Sequence, residues 1–288
     1  MKKHDFAIYN GKKIRITDFT YLSSNRAFKY GDGFFESIFS FYENVPLWEY
    51  HYIRIKNAFN DYGMYLPAYF NNTYFLNEIV RLLRSNKFFG KVYSRISFFR
   101  EDNGKYTPQK KSKVSYFIEQ QFLGQKKFEI NTEGLILGKF TEYRKPINRW
   151  SKYKKISADI FVFASIYKET QGYDDVFILN EKGKIIETTN TNIFCLKEDG
   201  HIYTPSVESG CVDGVMRRAV IEILKSEGLK IIEVDGLEEK DFSKTEELFL
   251  TNAVNGIKWV KAFKNYRFFK KISVELVKKL NEKYFRQQ

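Results

Sequence analysis

Cysteine is close to absent from this chain. Its 288 residues hold two, Cys195 and Cys211, too few for a disulfide framework and not at metal-ligand spacing. No run of 18 apolar residues occurs, so no membrane-spanning helix is expected. The opening Met1-Lys2-Lys3-His4-Asp5-Phe6 lacks the apolar stretch of a signal peptide, and a cytoplasmic protein is the expectation. There is no internal repeat and no low-complexity tract. His51 and His201 stand in no nucleophile or metal constellation, so structural roles are expected for them and no metal is expected. Acidic residues are in short supply: 35 Asp and Glu face 48 Lys and Arg, a net charge of +13. Such an excess can mark a nucleic-acid binder. Here no block of five or six like charges exists, and pairs such as Lys12-Lys13, Lys126-Lys127 and Lys270-Lys271 read as solvated faces. Neither a nucleic acid nor a membrane is expected as partner, and part of the charge can serve to gather anionic small molecules. Aromatic residues, in contrast, are plentiful at 18%. That content suits packed globular domains and excludes disorder.

The local patterns give an α+β chain in two parts. Asn10-Gly11 separates two short apolar runs and reads as a two-residue hairpin turn. Phe34 to Tyr42 alternates and then meets Glu43-Asn44, with Val45-Pro46-Leu47-Trp48 beyond as the return strand of a second hairpin. Helices are expected over 50–62 and 73–86, the latter capped by Thr73, with strands over 92–99 and 114–122. The first domain is therefore placed at residues 1–122. A polar connection carrying Gly124 follows over 123–133, and the second domain runs over 134–288. In that second part a helix over 157–171 stops before Gly172. A strand follows over 176–180, and 193–196 with 201–204 form a hairpin. A helix over 215–227 ends before Gly228, a strand covers 248–251, and a last amphipathic helix covers 273–284. So many strands with few helices between them argue against a doubly wound sheet.

The stretch from Gly183 to Arg217 carries the chemistry. It reads Gly-Lys-Ile-Ile-Glu-Thr-Thr-Asn-Thr-Asn-Ile-Phe over 183–194 and Gly-Cys-Val-Asp-Gly-Val-Met-Arg over 210–217. One acid, Glu187, precedes an apolar strand, and a glycine-punctuated loop opens a helix. Backbone N–H groups at a helix start favour an anion, and Gly210 and Gly214 allow close backbone approach. An acid for a ring nitrogen together with a helix start for a phosphate suits a flat heteroaromatic phosphate cofactor.

The order and spacing of these residues resemble the fold-type IV pyridoxal-phosphate (PLP) enzymes, which include branched-chain and D-amino-acid aminotransferases and aminodeoxychorismate lyase. The resemblance runs from Asn10-Gly11 to Val260. It implies a smaller N-terminal α/β sandwich, a larger C-terminal β-barrel-like domain with helices, PLP at the interface between them, and a homodimer.

The resemblance also assigns residues. Lys154, 18 residues ahead of Gly172-Tyr173-Asp174-Asp175-Val176, corresponds to the lysine that forms the Schiff base with PLP. Lys155 and Lys152 are the alternatives. Ser157 departs from the asparagine that the family often has three residues after that lysine. Glu187 corresponds to the carboxylate that keeps the pyridine nitrogen protonated, so that the ring accepts electrons. Asn192, five residues on, fixes local backbone. Gly214, Val215 and Met216 would hold the phosphate at the helix start, although Met216 replaces a threonine whose hydroxyl touches it in the family. Thr251 and Asn252, in Thr251-Asn252-Ala253, match a second phosphate loop. Arg54, in His51-Tyr52-Ile53-Arg54, matches the arginine that reaches the phosphate from the first domain. Tyr30 and Phe35, in Tyr30-Gly31-Asp32-Gly33-Phe34-Phe35-Glu36, would line the substrate pocket. Tyr93 and Arg95, two apart on one strand, share a face and fall where the family's aminotransferases contact a substrate carboxylate, a role that suits arginine. Two activities follow as expectations. One is transfer of an amino group between an α-amino acid, of branched-chain or D-type, and a 2-oxo acid. The other is conversion of 4-amino-4-deoxychorismate to 4-aminobenzoate and pyruvate. A basic nucleic-acid-binding protein that keeps the fold without the cofactor is the reading of a different class.

Overall fold

The computed structural model describes residues 6–20, 25–110 and 112–285. Residues 1–5 of the segment read above for a signal peptide lie outside them. Among the described residues no helix is long and apolar enough to cross a membrane. The chain forms two compact units, Met1–Lys127 with Tyr153–Ser157, and Phe128–Lys152 with Ala158–Gln288. The first unit thus takes back a five-residue piece of chain from beyond its own end.

The first unit opens with the expected hairpin, β1 (Phe6–Tyr9) and β2 (Lys12–Arg15). Asn10 and Gly11 both have positive φ, 48° and 78°, as a type I′ turn requires. Helix α1 (Arg26–Tyr30) ends on Gly31 in the left-handed region. Strand β3 (Gly33–Phe41) follows. The second hairpin expected after it stops at a single antiparallel bridge, Phe41 with Asn44, and the return strand over 45–48 does not form. Pro46 cannot donate to a ladder and Leu47 sits at φ 63°, so the chain leaves the extended region and enters α2 (Trp48–Asp61). Helix α3 (Asn72–Ser85) is capped by Asn71, whose side chain accepts from the Tyr74 N–H. The cap is therefore two residues earlier than Thr73, and asparagine is the stronger capping residue. Strands β4 (Lys91–Glu101) and β5 (Lys113–Gly124) complete an antiparallel sheet in the order β2-β1-β5-β4-β3. One sheet face packs on α2 and α3 through Phe34, Ile38, Phe59, Phe75, Ile96 and Phe98. The other face carries Phe35, Ser37, Tyr93, Arg95 and Ser97, all half-buried.

In the second unit β6 (Leu135–Lys139) runs through α4 (Asp159–Gln171) to the parallel strand β7 (Asp175–Leu179). Helix α4 begins two residues later than expected and ends on Gly172 at φ 73°. Strands β8 (Ile185–Thr188), β9 (Asn192–Lys197) and β10 (Ile202–Pro205) come next. They are followed by α5 (Val215–Ser226), β11 (Ile231–Val234), β12 (Thr245–Asn252), β13 (Gly256–Phe263), β14 (Tyr266–Arg267) and α6 (Ser273–Tyr284). The sheet order is β11-β10-β9-β12-β13-β6-β7-β8, with β14 beside β13. Its two ends return to each other, because Ile185 in β8 and Leu237, just past β11, exchange both backbone hydrogen bonds at 2.8 Å. The sheet is barrel-like for that reason. Leu137, Phe177, Ile193, Leu248, Leu250 and Val260 fill its inside. The expected class, α+β with a β-barrel-like second domain carrying helices, is what the chain forms.

Candidate active site

In the first unit the free edge of β3 positions Lys154. An edge strand exposes unpaired backbone groups, and the returning chain covers them. Phe35 N–H donates to Lys154 O at 2.8 Å and Ile156 N–H donates to Gly33 O at 3.1 Å. Tyr153, buried beside Lys154, donates its hydroxyl to Asp61 at 2.6 Å. Gly33 is obligatory here, since a Cβ would overlap Phe98 O and lie 2.6 Å from Ile156 Cδ1. Ser157 packs against Gly31, where a Cβ would come within 2.8 Å of the serine Cβ.

Held in this way, Lys154 Nζ lies 5.6 Å from the centre of the Phe35 ring, and the Arg95 guanidinium lies 3.5 Å from the same centre. Arg95 also donates through Nε to Ser97 Oγ at 3.2 Å. The sheet thus brings Lys154, Phe35 and Arg95 together, with Tyr93 two residues along the same face. Tyr30 has other neighbours: the Arg26 guanidinium at 5.0 Å and the Tyr106 ring at 5.4 Å.

Arg54 is 3% exposed and paired with Glu36, itself 2% exposed. Arg54 Nε donates to Glu36 Oε1 at 2.8 Å, and Nη2 donates to Oε2 at 2.7 Å. His51 Nδ1–H donates to the same Oε2 at 2.6 Å. Burial pushes the Glu36 carboxyl up, but the Arg54 charge and the hydrogen bonds from His51 and Arg54 outweigh it and hold the group down at about 2. Burial pushes His51 below its ordinary value. The Glu36 bond opposes that shift, and the charges of Arg54 and Lys154 add to it. Glu36 was not singled out in the sequence, although it closes the Tyr30–Glu36 motif. The His-x-x-Arg spacing, one helical turn, was the signal that His51 and Arg54 share a partner.

In the second unit Glu187 is buried on β8 at 2% exposure. Its Oε1 accepts from Lys145 Nζ at 2.5 Å and its Oε2 accepts from the Val212 N–H at 2.9 Å. Lys145 is itself 4% exposed, and no sequence pattern marked it. The hydroxyl-rich turn after Glu187 is locked by Asp175, which accepts from Thr188 Oγ1 at 2.6 Å and Thr189 Oγ1 at 2.7 Å. That turn delivers Asn192, whose Nδ2 donates to Val212 O at 2.8 Å. The Val212 peptide therefore ties Glu187 to Asn192. Asn192 also closes on Gly214, where a Cβ would overlap its Oδ1. Gly214 is the N-cap of α5, and Val215 and Met216 open the helix with both side chains buried. The Cys211 thiol in this loop is pushed up to about 12 by burial and by the charge of Glu187. Thr251 pairs in register with Asn192 across β12 and β9. It is 1% exposed, and its Oγ1 has no partner among the described residues. Asn252 Oδ1 accepts from the Val254 and Asn255 N–H groups, which shapes the turn behind it.

This donor set fits PLP. Glu187 is a buried, oriented carboxylate, the kind of group that a protonated ring nitrogen requires. The α5 start offers N–H groups without helical acceptors, beside a glycine that admits no side chain. Thr251 has a buried hydroxyl with no partner among the described residues, and buried polar groups are rarely left so, whereas Met216 has no hydroxyl to give.

The comparisons agree with this reading. The family model for amino-transferase class IV matches residues 33–263, and the chain belongs to that family. It is a PLP-dependent enzyme, an aminotransferase or a lyase of the same fold, with pyridoxal 5'-phosphate as cofactor. A probable branched-chain-amino-acid aminotransferase of Aquifex aeolicus is 24% identical over 98% of this chain and 91% of its own length. The aminodeoxychorismate lyase of Bacillus subtilis is 26% identical over 85% of this chain and 82% of its own length. Among solved structures, the Thermoproteus uzoniensis branched-chain aminotransferase with norvaline has a TM-score of 0.84 at 19% identity, covering 96% of this chain and 93% of its own. The branched-chain amino acid aminotransferase from Escherichia coli has a TM-score of 0.83 at 20% identity, covering 98% of this chain and 94% of its own. At these identities the structures establish the fold.

Proposed function

We propose that the chain transfers an amino group between an α-amino acid, of branched-chain or D-type, and a 2-oxo acid. The observation that carries this is Arg95 stacked on Phe35 with Lys154 beside the same ring. A guanidinium is a bidentate receptor for a carboxylate, and here it stands near the amine that would exchange with the substrate. When bound, PLP supplies an aldehyde that condenses with amines and a ring that takes up electron density from Cα. Lys154 carries the cofactor between turnovers and then moves the proton at Cα. Glu187 holds the ring nitrogen in its charged form. Gly214, Val215, Met216 and Thr251 bind the phosphate, the first three through backbone and Thr251 through its hydroxyl. Asn192 and Asn252 fix the two loops, and Arg54 adds its charge at the phosphate. Tyr93 helps Arg95 orient the carboxylate, and Phe35 and Tyr30 offer aromatic surface to the side chain. A homodimer is part of this reading. The exposed apolar side chains Val162, Phe163 and Ile166 on α4 support it, since large exposed apolar patches mark association surfaces.

The lyase is the second reading, favoured by the 26% identity with the Bacillus subtilis enzyme over most of both chains. Supplying the PLP-loaded protein with amino acids and 2-oxoglutarate, and separately with 4-amino-4-deoxychorismate alone, decides between them. New amino and oxo acids in the first tube support transamination. Pyruvate and 4-aminobenzoate in the second, without any oxo-acid acceptor, would replace it with the lyase.

A further inference from the structure

We infer that Tyr153, tethered to Asp61, is a positioning residue that aims Lys154 at the sheet face where Arg95 stands. This deepens the proposed function and rests on its reading that Lys154 carries the cofactor. Every group involved belongs to the first unit. Lys154 meets the edge of β3 in a short pairing, Phe35 N–H to Lys154 O and Ile156 N–H to Gly33 O, around a bridge between Phe34 and Lys155. Side chains alternate along such a segment. Tyr153 goes inward. It is 3% exposed and belongs to the core cluster of Phe34 and Phe59, with its ring centre 6.1 Å from that of Tyr62. Lys154 then faces outward, as Phe35 does, and its Nζ lies 5.6 Å from the Phe35 ring centre. Lys155, opposite Phe34, falls on the Tyr153 side. The alternation thus selects Lys154 from two neighbouring lysines.

Packing alone does not fix how deep the Tyr153 ring sits, since apolar burial has no direction. A hydrogen bond has a set length and angle. The Tyr153 hydroxyl donates to Asp61 Oδ2 at 2.6 Å. Asp61 is the last residue of α2, in a final turn without a basic side chain. An acid at that end opposes the helix dipole, so α2 by itself gives no reason for one there. A tyrosine hydroxyl at a core position likewise adds a polar atom that must be satisfied. The pair acts as a stop that sets the height of the returning segment against the sheet, and with it the reach of the Lys154 amine.

The test compares PLP with pyridoxamine 5'-phosphate, which carries an amine in place of the aldehyde and so forms no bond to Lys154. Binding of each to apoprotein is measured by calorimetry, alongside the melting temperature. Tyr153→Phe is expected to weaken PLP about tenfold, the lower range for one hydrogen bond to a charged group, and to leave pyridoxamine 5'-phosphate unchanged. Asp61→Ala should match it, and Asp61→Asn, which keeps an acceptor oxygen, should lose less. If Tyr153→Phe does not fold, the two Asp61 variants carry the comparison. Parallel loss of both compounds would show a purely structural role and overturn the proposal. So would unchanged PLP binding, or equal losses in Asp61→Asn and Asp61→Ala. Failure of the underlying reading looks different, because borohydride reduction of the PLP-loaded wild-type protein would then put the label on a lysine other than Lys154. With the label on Lys154 and PLP binding unchanged in Tyr153→Phe, the proposal alone falls.

Discussion

Lys145 and Glu187 form an ion pair inside the second unit, Nζ to Oε1 2.5 Å apart, with both side chains almost fully out of solvent. Forty-two residues separate them in sequence. The pair exists because the Lys145 backbone runs along the end of β7, where its N–H donates to Leu179 O and its carbonyl accepts from Glu181 N–H. Together with the Val212 N–H, the ammonium holds the carboxylate at both oxygens.

Removing one member leaves the other charge buried without its partner. Such losses cost about 3–5 kcal/mol, so Lys145→Met should lower unfolding free energy by that order. Glu187→Gln should do the same. The double variant should lose less than the sum, because the two changes share one interaction. Urea denaturation of the four proteins gives the coupling, and additive losses would show that the two side chains do not depend on each other.

Lys154→Ala should abolish the absorption band near ~410–430 nm of PLP-loaded protein and its loss on borohydride. Turnover should fall by roughly 10²–10⁴ or more, since the same amine moves a proton. Peptide mapping after reduction of wild-type protein should place the label on Lys154. A label on Lys155 would move the assignment along the segment that pairs with β3, and one on Lys152 would move it off that segment.

Gly214→Ala places a methyl group on the Asn192 amide oxygen. Overpacking of this kind costs about 1–3 kcal/mol. The change should weaken PLP binding more than it lowers the melting temperature of apoprotein, because it moves the N-cap of α5. Asn192→Ala in the same chain should recover part of the loss. A Gly214→Ala protein with unchanged PLP affinity would separate this turn from the phosphate.

Acid should unfold the first unit partly through Glu36. Its folded value, about 2, lies below the ordinary 4.5, so the stability it contributes is present above about pH 4.5 and is lost as pH falls toward 2. By linkage this amounts to about 3 kcal/mol at most. His51, lowered by burial, acts in the same direction at higher pH, because the unfolded chain takes up its proton first. Glu36→Gln should flatten the pH dependence of the urea midpoint between pH 5 and 3 relative to wild type. An unchanged slope would place the acid sensitivity elsewhere.

Much of the local structure was legible in the sequence, for reasons that act over a few residues. Asn10-Gly11 takes positive φ at low cost, Gly172 and Gly228 end helices, and apolar spacing marks α3 and α6. The pattern around Glu187 and Gly214 was legible for the same reason, since a strand, a turn and a helix start sit there in succession. The failures also have local causes. Val45–Trp48 looked extended by composition, but Pro46 and a left-handed Leu47 do not sustain a ladder. Thr73 was a fair cap until the stronger Asn71 stood two residues ahead.

The sequence by itself determined the class of enzyme, the order of strands and helices along the chain, and the residue types a phosphate cofactor needs. The tertiary structure decided which of them meet. Tyr153–Ser157 leaves the second unit to pair with the edge of β3, and only that register sets Lys154 and Arg95 on one ring. Lys145 reaches Glu187, and Glu36 grips Arg54, through neighbours that sheet pairing and helix docking supply. A side chain's partners across a sheet are fixed by register and burial over distances of tens of residues, and a buried charge is held only where those partners arrive.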